Sequence, residues 1–135
     1  MHIRFDNRVA LVTGGAQGIG QAIARGLKAA GAIVHVADLE AGGVGRFAAN
    51  EGMTAHVLDV SDRDAAHRVV NEIATKSGRL DILVNAAGGV RGQVGRPIAE
   101  VQPRDWRVIF EANLDGAFWL AQAASVPMQG ARYGR

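Results

Sequence analysis

Four glycines, Gly14, Gly15, Gly18 and Gly20, fall within seven positions of "VTGGAQGIGQAIA", between an apolar run and a stretch with helical spacing. Glycine loses more chain entropy on folding than any other residue, so such a cluster needs a local cause. Bare backbone N–H groups at the start of a helix can surround a phosphate, and the helix dipole adds to the attraction. Gly14 would end a strand, Gly18 would let backbone approach the phosphate, and Gly20 would let the helix pack closely on the sheet. The spacing Gly14-x-x-x-Gly18-x-Gly20 differs from the G-x-G-x-x-G dinucleotide fingerprint, and no Gly-Lys-Ser/Thr follows to make a P-loop. A glycine turn that binds nothing is the alternative. Asp38 shifts the balance: it closes the next apolar run eighteen residues after Gly20, near the interval at which an acid meets the ribose hydroxyls of a dinucleotide.

Asn113 is the other conspicuous polar residue, because it interrupts the apolar stretch "IFEANLDGAFWLAQA". An amide there is costly unless hydrogen-bonded, either to neighbouring backbone or in a functional site. His2, His35, His56 and His67 show no paired ligand spacing and there is no cysteine, so no metal site is expected. Arg and Lys are scattered and the net charge is only +2, which argues against a nucleic-acid surface. The start "MHIRFDNRVA" has no apolar leader core and no stretch approaches the length of a membrane span, so a cytoplasmic protein with no membrane partner is expected.

Apolar residues make up 48% of the chain and charged residues 21%, proportions that suit a packed domain and exclude a disordered one. Short β-branched runs alternate with helix-length segments. "RVALVTG" (8–14) predicts a buried strand, followed by a helix over about 18–30 with Ile19, Ile23 and Leu27 on one stripe. Gly31 stands where a left-handed C-terminal cap is expected. "AIVHVAD" (32–38) predicts a second strand, 41–51 a short helix, and "TAHVLDV" (54–60) a third strand. Ser61 is expected to cap the next helix with Asp64 three residues on, and Ala66, Val69, Val70 and Ile73 form that helix's apolar face. "LDILVNAAGG" (80–89) predicts a fourth strand that ends in a glycine turn. A four-glycine loop (88–97) follows and is expected to move; positions 92–96 stand where a substrate entrance would be. Pro103 suits the first turn of a long helix running to about 124. Strands separated by helices point to right-handed crossovers and a parallel sheet covered on both faces.

"TGGAQGIG" (13–20), Asp38, "LDV" (58–60), "VNAAG" (84–88) and "ANLDGAF" (112–118) together resemble the short-chain dehydrogenase/reductase family, in its order and spacing. The resemblance implies an α/β fold, a three-layer Rossmann-like doubly wound parallel sheet of strand order 3-2-1-4, and an NAD cofactor. It implies that Gly14, Gly18 and Gly20 form the pyrophosphate loop, with Thr13 as a buttress, and that Gln17 and Ile19 are cofactor-binding residues beside them. Asp38 would lie at the ribose, with Leu39 after it as a further cofactor-binding residue, and Asp59 and Val60 at the adenine. Asn85, Ala86 and Gly88 correspond to the motif after the fourth strand, where the family often has a second Asn in place of Ala86. Asn113 matches a catalytic position, an Asn that distorts its helix and helps hold a proton-relay water.

The family's remaining chemistry needs a Ser that orients the substrate oxygen, a Tyr as general acid/base, and a Lys four residues later that lowers the Tyr pKa. The sole tyrosine, Tyr133, is followed only by Gly134 and Arg135, and Ser125 comes too early. Residues 1–135 are therefore expected to be the N-terminal part of a single NAD-binding domain, inactive alone, in an enzyme acting on an alcohol or ketone. A non-catalytic nucleotide-binding module is the alternative; a methyltransferase-like binder fits the "VNAAG" and Asn113 signals less well. The helix after Pro103 carries Trp106, Ile109, Phe110, Phe118, Trp119 and Leu120, more apolar surface than one sheet contact needs. By resemblance, such helices pair across a two-fold axis, so a homo-oligomer, commonly a tetramer, is expected.

Overall fold

The β-branched runs pair as the spacing predicts. In the computed structural model, which describes residues 3–135, β1 (Val9–Thr13) lies between β2 (Ile33–Asp38) and β4 (Ile82–Asn85), and β3 (Thr54–Val57) flanks β2. His2 lies outside the described residues. All pairings are parallel and the order is β3-β2-β1-β4. The register sets Val12 beside Val36 and Val84, so the strands end together and their carboxyl ends share one edge.

Side-chain alternation divides β1 between two cores. Ala10 and Val12 pack with Ala24 and Leu27 of α1 (Gly18–Ala29) and with Val44 and Phe47 of α2 (Ala41–Glu51). Val9 and Leu11 face the other way, towards Val70 and Ile73 of α3 (Arg63–Ser77) and Leu120 of α5 (Gly116–Ala131). The result is three layers with helices on both faces of the sheet.

Several local expectations are corrected. Ile19 is 75% exposed and points away from the core; Gly20, Ala24 and Leu27 are the buried positions of α1. Asp62, not Ser61, caps α3, its carboxylate accepting from the Ala65 N–H at 3.0 Å, while Ser61 turns back to bond Asp59. The long helix is one unbroken run, but it is not α-helical throughout and it ends later than expected. It comprises α4 (Pro103–Phe110), a π-helical turn (Glu111–Asp115) and α5, which runs to Ala131 with Pro127 inside it. Of its apolar residues Leu120 is buried in the core and Trp119 packs against it. Trp106, Phe110, Leu114 and Phe118 remain exposed at four-residue intervals.

The opposite, amino-terminal edge of the sheet is held by charge. Asp81, fully buried just before β4, accepts from Arg8, Arg79 and the Val9 N–H. Burial alone would push its carboxyl upward, but these donors outweigh it and hold the pKa below the usual carboxylate value. Tyr133 lies at this same end, with the Arg8 guanidinium 3.7 Å from its ring centroid. Arg135 bonds the outer side of β4, its N–H donating to Asp81 O at 3.0 Å and its C=O accepting from Leu83 N at 2.9 Å.

Candidate functional site

A cleft of about 780 Å³ opens at the carboxyl ends of the strands. Open parallel sheets place ligands at this edge, beside a change of winding direction, and here the change lies between β1 and β4. Five segments line the cleft: the glycine turn and first residues of α1, the end of β2, the residues after β3, the loop after β4, and the π-helical turn through Ala112.

The glycines of the first segment have different jobs. A side chain on Gly14 would meet the Ala86 carbonyl oxygen at 2.6 Å, and one on Gly20 would run into the Gly14 carbonyl group. Both are glycine because chain segments touch there. Gly18 is different. Its φ is +53°, and a Cβ placed on it would meet nothing within 4 Å. The absence of a side chain at Gly18 serves no protein neighbour, and it keeps backbone at the start of α1 bare towards the cleft.

Asp38 is fixed by two backbone donors. Ala16 N donates to its Oδ2 at 2.9 Å and Glu40 N to its Oδ1 at 3.1 Å, so the acid ties the glycine turn to the start of α2. Glu40 caps α2 through the Gly42 and Gly43 N–H groups and borders the cleft beside Leu39. After β3, Asp59 Oδ1 accepts from the Ser61 amide at 3.0 Å and hydroxyl at 2.7 Å, and Oδ2 accepts from Arg91 at 2.9 Å. Partial burial raises the Asp59 pKa, but these bonds outweigh it and leave the carboxyl below its ordinary value.

The residues singled out from the sequence divide between the cleft wall and its support. Gly14, Gln17, Gly18, Ile19, Gly20, Asp38, Leu39, Asp59, Val60, Ala86 and Gly88 line the cleft. Thr13 stands behind it: its hydroxyl accepts from Ala87 N at 3.2 Å and donates to Val84 O at 3.4 Å, bracing the chain after β4. Asn85 points elsewhere, its amide 3.5 Å from Ala117 O. Arg91, Glu40, Val90 and Ala112 border the cleft without having been picked out from the sequence. Positions 92–96 do not reach it.

A family model for short chain dehydrogenases matches residues 8–135. The chain belongs to this family. Meso-2,3-butanediol dehydrogenase of Serratia marcescens is 39% identical over 126 residues, an alignment covering 90% of this chain and 49% of that enzyme. D-threitol dehydrogenase of Mycolicibacterium smegmatis is also 39% identical, covering 93% of this chain and 49% of the relative. A solved structure from Sinorhizobium meliloti, assigned as a short-chain alcohol dehydrogenase, superposes with a TM-score of 0.86 at 40% identity, over 99% of this chain and 54% of that one. The chain spans about half the length of the curated relatives it matches.

In this member of the family the loop after β4 forms part of the cleft rim, and Asn113 holds it. Asn113 Nδ2 donates to Gly89 O at 2.8 Å and to Ile109 O at 2.7 Å, while Oδ1 accepts from Gly89 N at 2.9 Å. It sits in the π-helical turn, where hydrogen bonding shifts by one residue, and its side-chain amide serves the Ile109 carbonyl one turn back. The amide is thus bonded to neighbouring backbone, within a distorted helix of the kind the resemblance implied. Gly88 must lack a side chain here, because a Cβ would press on the Asn113 amide. Among the described residues no helix is long and apolar enough to cross a membrane.

Proposed function

We propose that the protein is an NAD-dependent oxidoreductase that moves hydride between nicotinamide and the carbon of an alcohol or ketone. The observation that carries the proposal is the cleft itself: an open glycine turn at Gly18 at one end and a fixed carboxylate, Asp38, at the other. A dinucleotide suits this wall chemically. Bare N–H groups suit a pyrophosphate, and Asp38 suits ribose hydroxyls. Asp59 and Val60 would meet the adenine. When bound, the cofactor supplies the hydride chemistry, and the chain positions it. Asn113 positions the loop after β4 with both of its amide hydrogens, and the second acceptor position of its Oδ1 is left for a proton-relay water.

Asp38 favours NAD over NADP because a 2′-phosphate would stand against its carboxylate. No arginine occupies Gly15, Ala16 or Gln17 to compensate. Two like charges about 4 Å apart cost roughly 1 kcal/mol in water and about 4 kcal/mol at an intermediate dielectric. Vicinal diols lead the substrate class, since two of the relatives are named for such compounds. Residues 1–135 are proposed as the cofactor-binding part of a single domain. No Tyr-x-x-x-Lys occurs in them, and Tyr133 lies at the edge of the sheet opposite the cleft. The exposed stripe Trp106, Phe110, Leu114 and Phe118 supports a homo-oligomer, with a tetramer as the proposed form.

The test is NADH formation by the whole protein with a panel of secondary alcohols and vicinal diols. Turnover with at least one of them is expected. NAD binding without turnover on any alcohol, or in reverse on any ketone, would favour a non-catalytic nucleotide-binding module.

A further inference from the structure

Glycine occupies three of the first five positions of α2, as Gly42, Gly43 and Gly45. Inside a helix a glycine is less favourable than an alanine by about fivefold in an equilibrium constant. Two of the three have a local cause. A Cβ on Gly42 would stand 3.0 Å from Glu40 Oε1, and one on Gly43 would press on the same carboxylate and lie 3.3 Å from Ala16 Cβ. Gly45 has none: it is helical, and a Cβ on it would meet nothing within 4 Å. Its lack of a side chain serves no neighbour, and it loosens this end of the helix.

What holds that end is mostly polar. No residue of α2 before Val44 is buried. Glu40 accepts from the Gly42 and Gly43 N–H groups, and its own N–H donates to Asp38 Oδ1 at 3.1 Å. Asp38 Oδ2 accepts from Ala16 N of the glycine turn at 2.9 Å, so one carboxylate links the turn to the helix. Asp38 and Glu40 both line the cleft. An ionised carboxylate offers about four acceptor positions, and among the described residues the chain uses two of those on Asp38. Ribose hydroxyls donating to the other two would fix the carboxylate where it receives Ala16 N and Glu40 N. Ligand binding and formation of the first turn of α2 therefore favour one another, and such coupling is reciprocal.

We propose that residues 40–45 form a cofactor-responsive wall of the cleft, open in part of the free population and closed when a ribose engages Asp38, with Gly45 setting the balance. This rests on the nucleotide reading of the site. The closed fraction scales the apparent affinity, so a change that favours the helical first turn tightens binding without touching the ligand. Gly45 itself does not line the cleft, which separates this effect from a direct contact.

The proposal is tested on the whole protein with ADP-ribose, which needs no turnover, by hydrogen exchange and by calorimetric titration of wild type, G45A and G26A. Gly26 is the matched control: it lies inside α1, a Cβ on it would also meet nothing within 4 Å, and it does not line the cleft. Both alanines are expected to raise Tm, since each favours its helix. Saturating ADP-ribose is expected to slow exchange of the amides at 42–46 by about tenfold or more. G45A is expected to bind ADP-ribose about twofold to fivefold more tightly than wild type, and G26A to bind it as wild type does. Exchange at 42–46 that ADP-ribose leaves unchanged, or G45A binding no more tightly than G26A, would overturn the proposal. Failure of the wild-type protein to bind ADP-ribose at all would instead overturn the nucleotide reading, and this inference with it.

Discussion

Replacing Gly18 with Ala separates what the glycine turn does for the fold from what it does for a ligand. The substitution meets no protein atom within 4 Å, so its structural cost is limited to holding a side chain at φ +53°. That cost is about 1–2 kcal/mol, equivalent to a fall in Tm of roughly 2–8 °C for a domain of ordinary enzyme size. The added methyl occupies the bare approach to the first N–H groups of α1. Loss of one charge-assisted hydrogen bond to a phosphate costs about 1.5–3 kcal/mol. Two such losses amount to roughly 3–6 kcal/mol, or at least a hundredfold in Kd. Gly20→Ala provides the contrast, since its Cβ must displace the Gly14 carbonyl and its damage falls first on stability. The assay pairs a thermal melt with titration of NADH fluorescence. A folded Gly18→Ala protein that binds NADH within about threefold of wild type would refute the assignment of the turn.

Asp38→Ser should narrow the preference for NAD over NADP by about fivefold or more in a binding titration, because it removes the charge that would oppose a 2′-phosphate. His35 should make stability depend on pH. Burial, followed by the facing His56, lowers its pKa to about 4, with Glu72 acting to raise it and Lys76 to lower it. Between about pH 6.5 and 4 the unfolded chain therefore binds the proton more readily than the native protein. Stability held in full above that window falls by about 3 kcal/mol across it. Denaturant titrations at several pH values should show a flatter slope for His35→Leu; an unchanged slope would exclude His35 as its source. Phe118→Glu places a charge on the exposed stripe of α4 and α5, and light scattering should show a smaller assembly than wild type.

The sheet was legible because its cues are local and repeated. The runs "VALVT" and "IVHVAD" have nowhere to go but a buried parallel sheet, and Gly31 ends α1 with φ +94° as its position implies. The cleft was legible for the same reason: its glycines and Asp38 lie on short segments whose order the crossovers determine. The features that escaped involve choices between near-equal local options. Asp62 and Ser61 are both good caps, and Asp59, which draws the Ser61 hydroxyl back to itself, decides between them. The apolar period of α1 counts Ile19 with Ile23 and Leu27, yet its first turn hangs over the cleft and leaves Ile19 without a core. The π-helical turn holds Asn113, whose partner Gly89 lies across the chain where periodicity cannot register it. Arg91 reaches Asp59 for a similar reason: the contact joins segments thirty-two residues apart and exists only once the sheet order is formed.

The most direct measurement is titration of the whole wild-type protein with NADH and NADPH, followed by fluorescence. A cleft with a bare turn at Gly18 and a fixed carboxylate at Asp38 predicts saturable binding of NADH, tighter than that of NADPH by about fivefold or more. Absence of binding to either dinucleotide, in a protein shown to be folded, would contradict the account of the site.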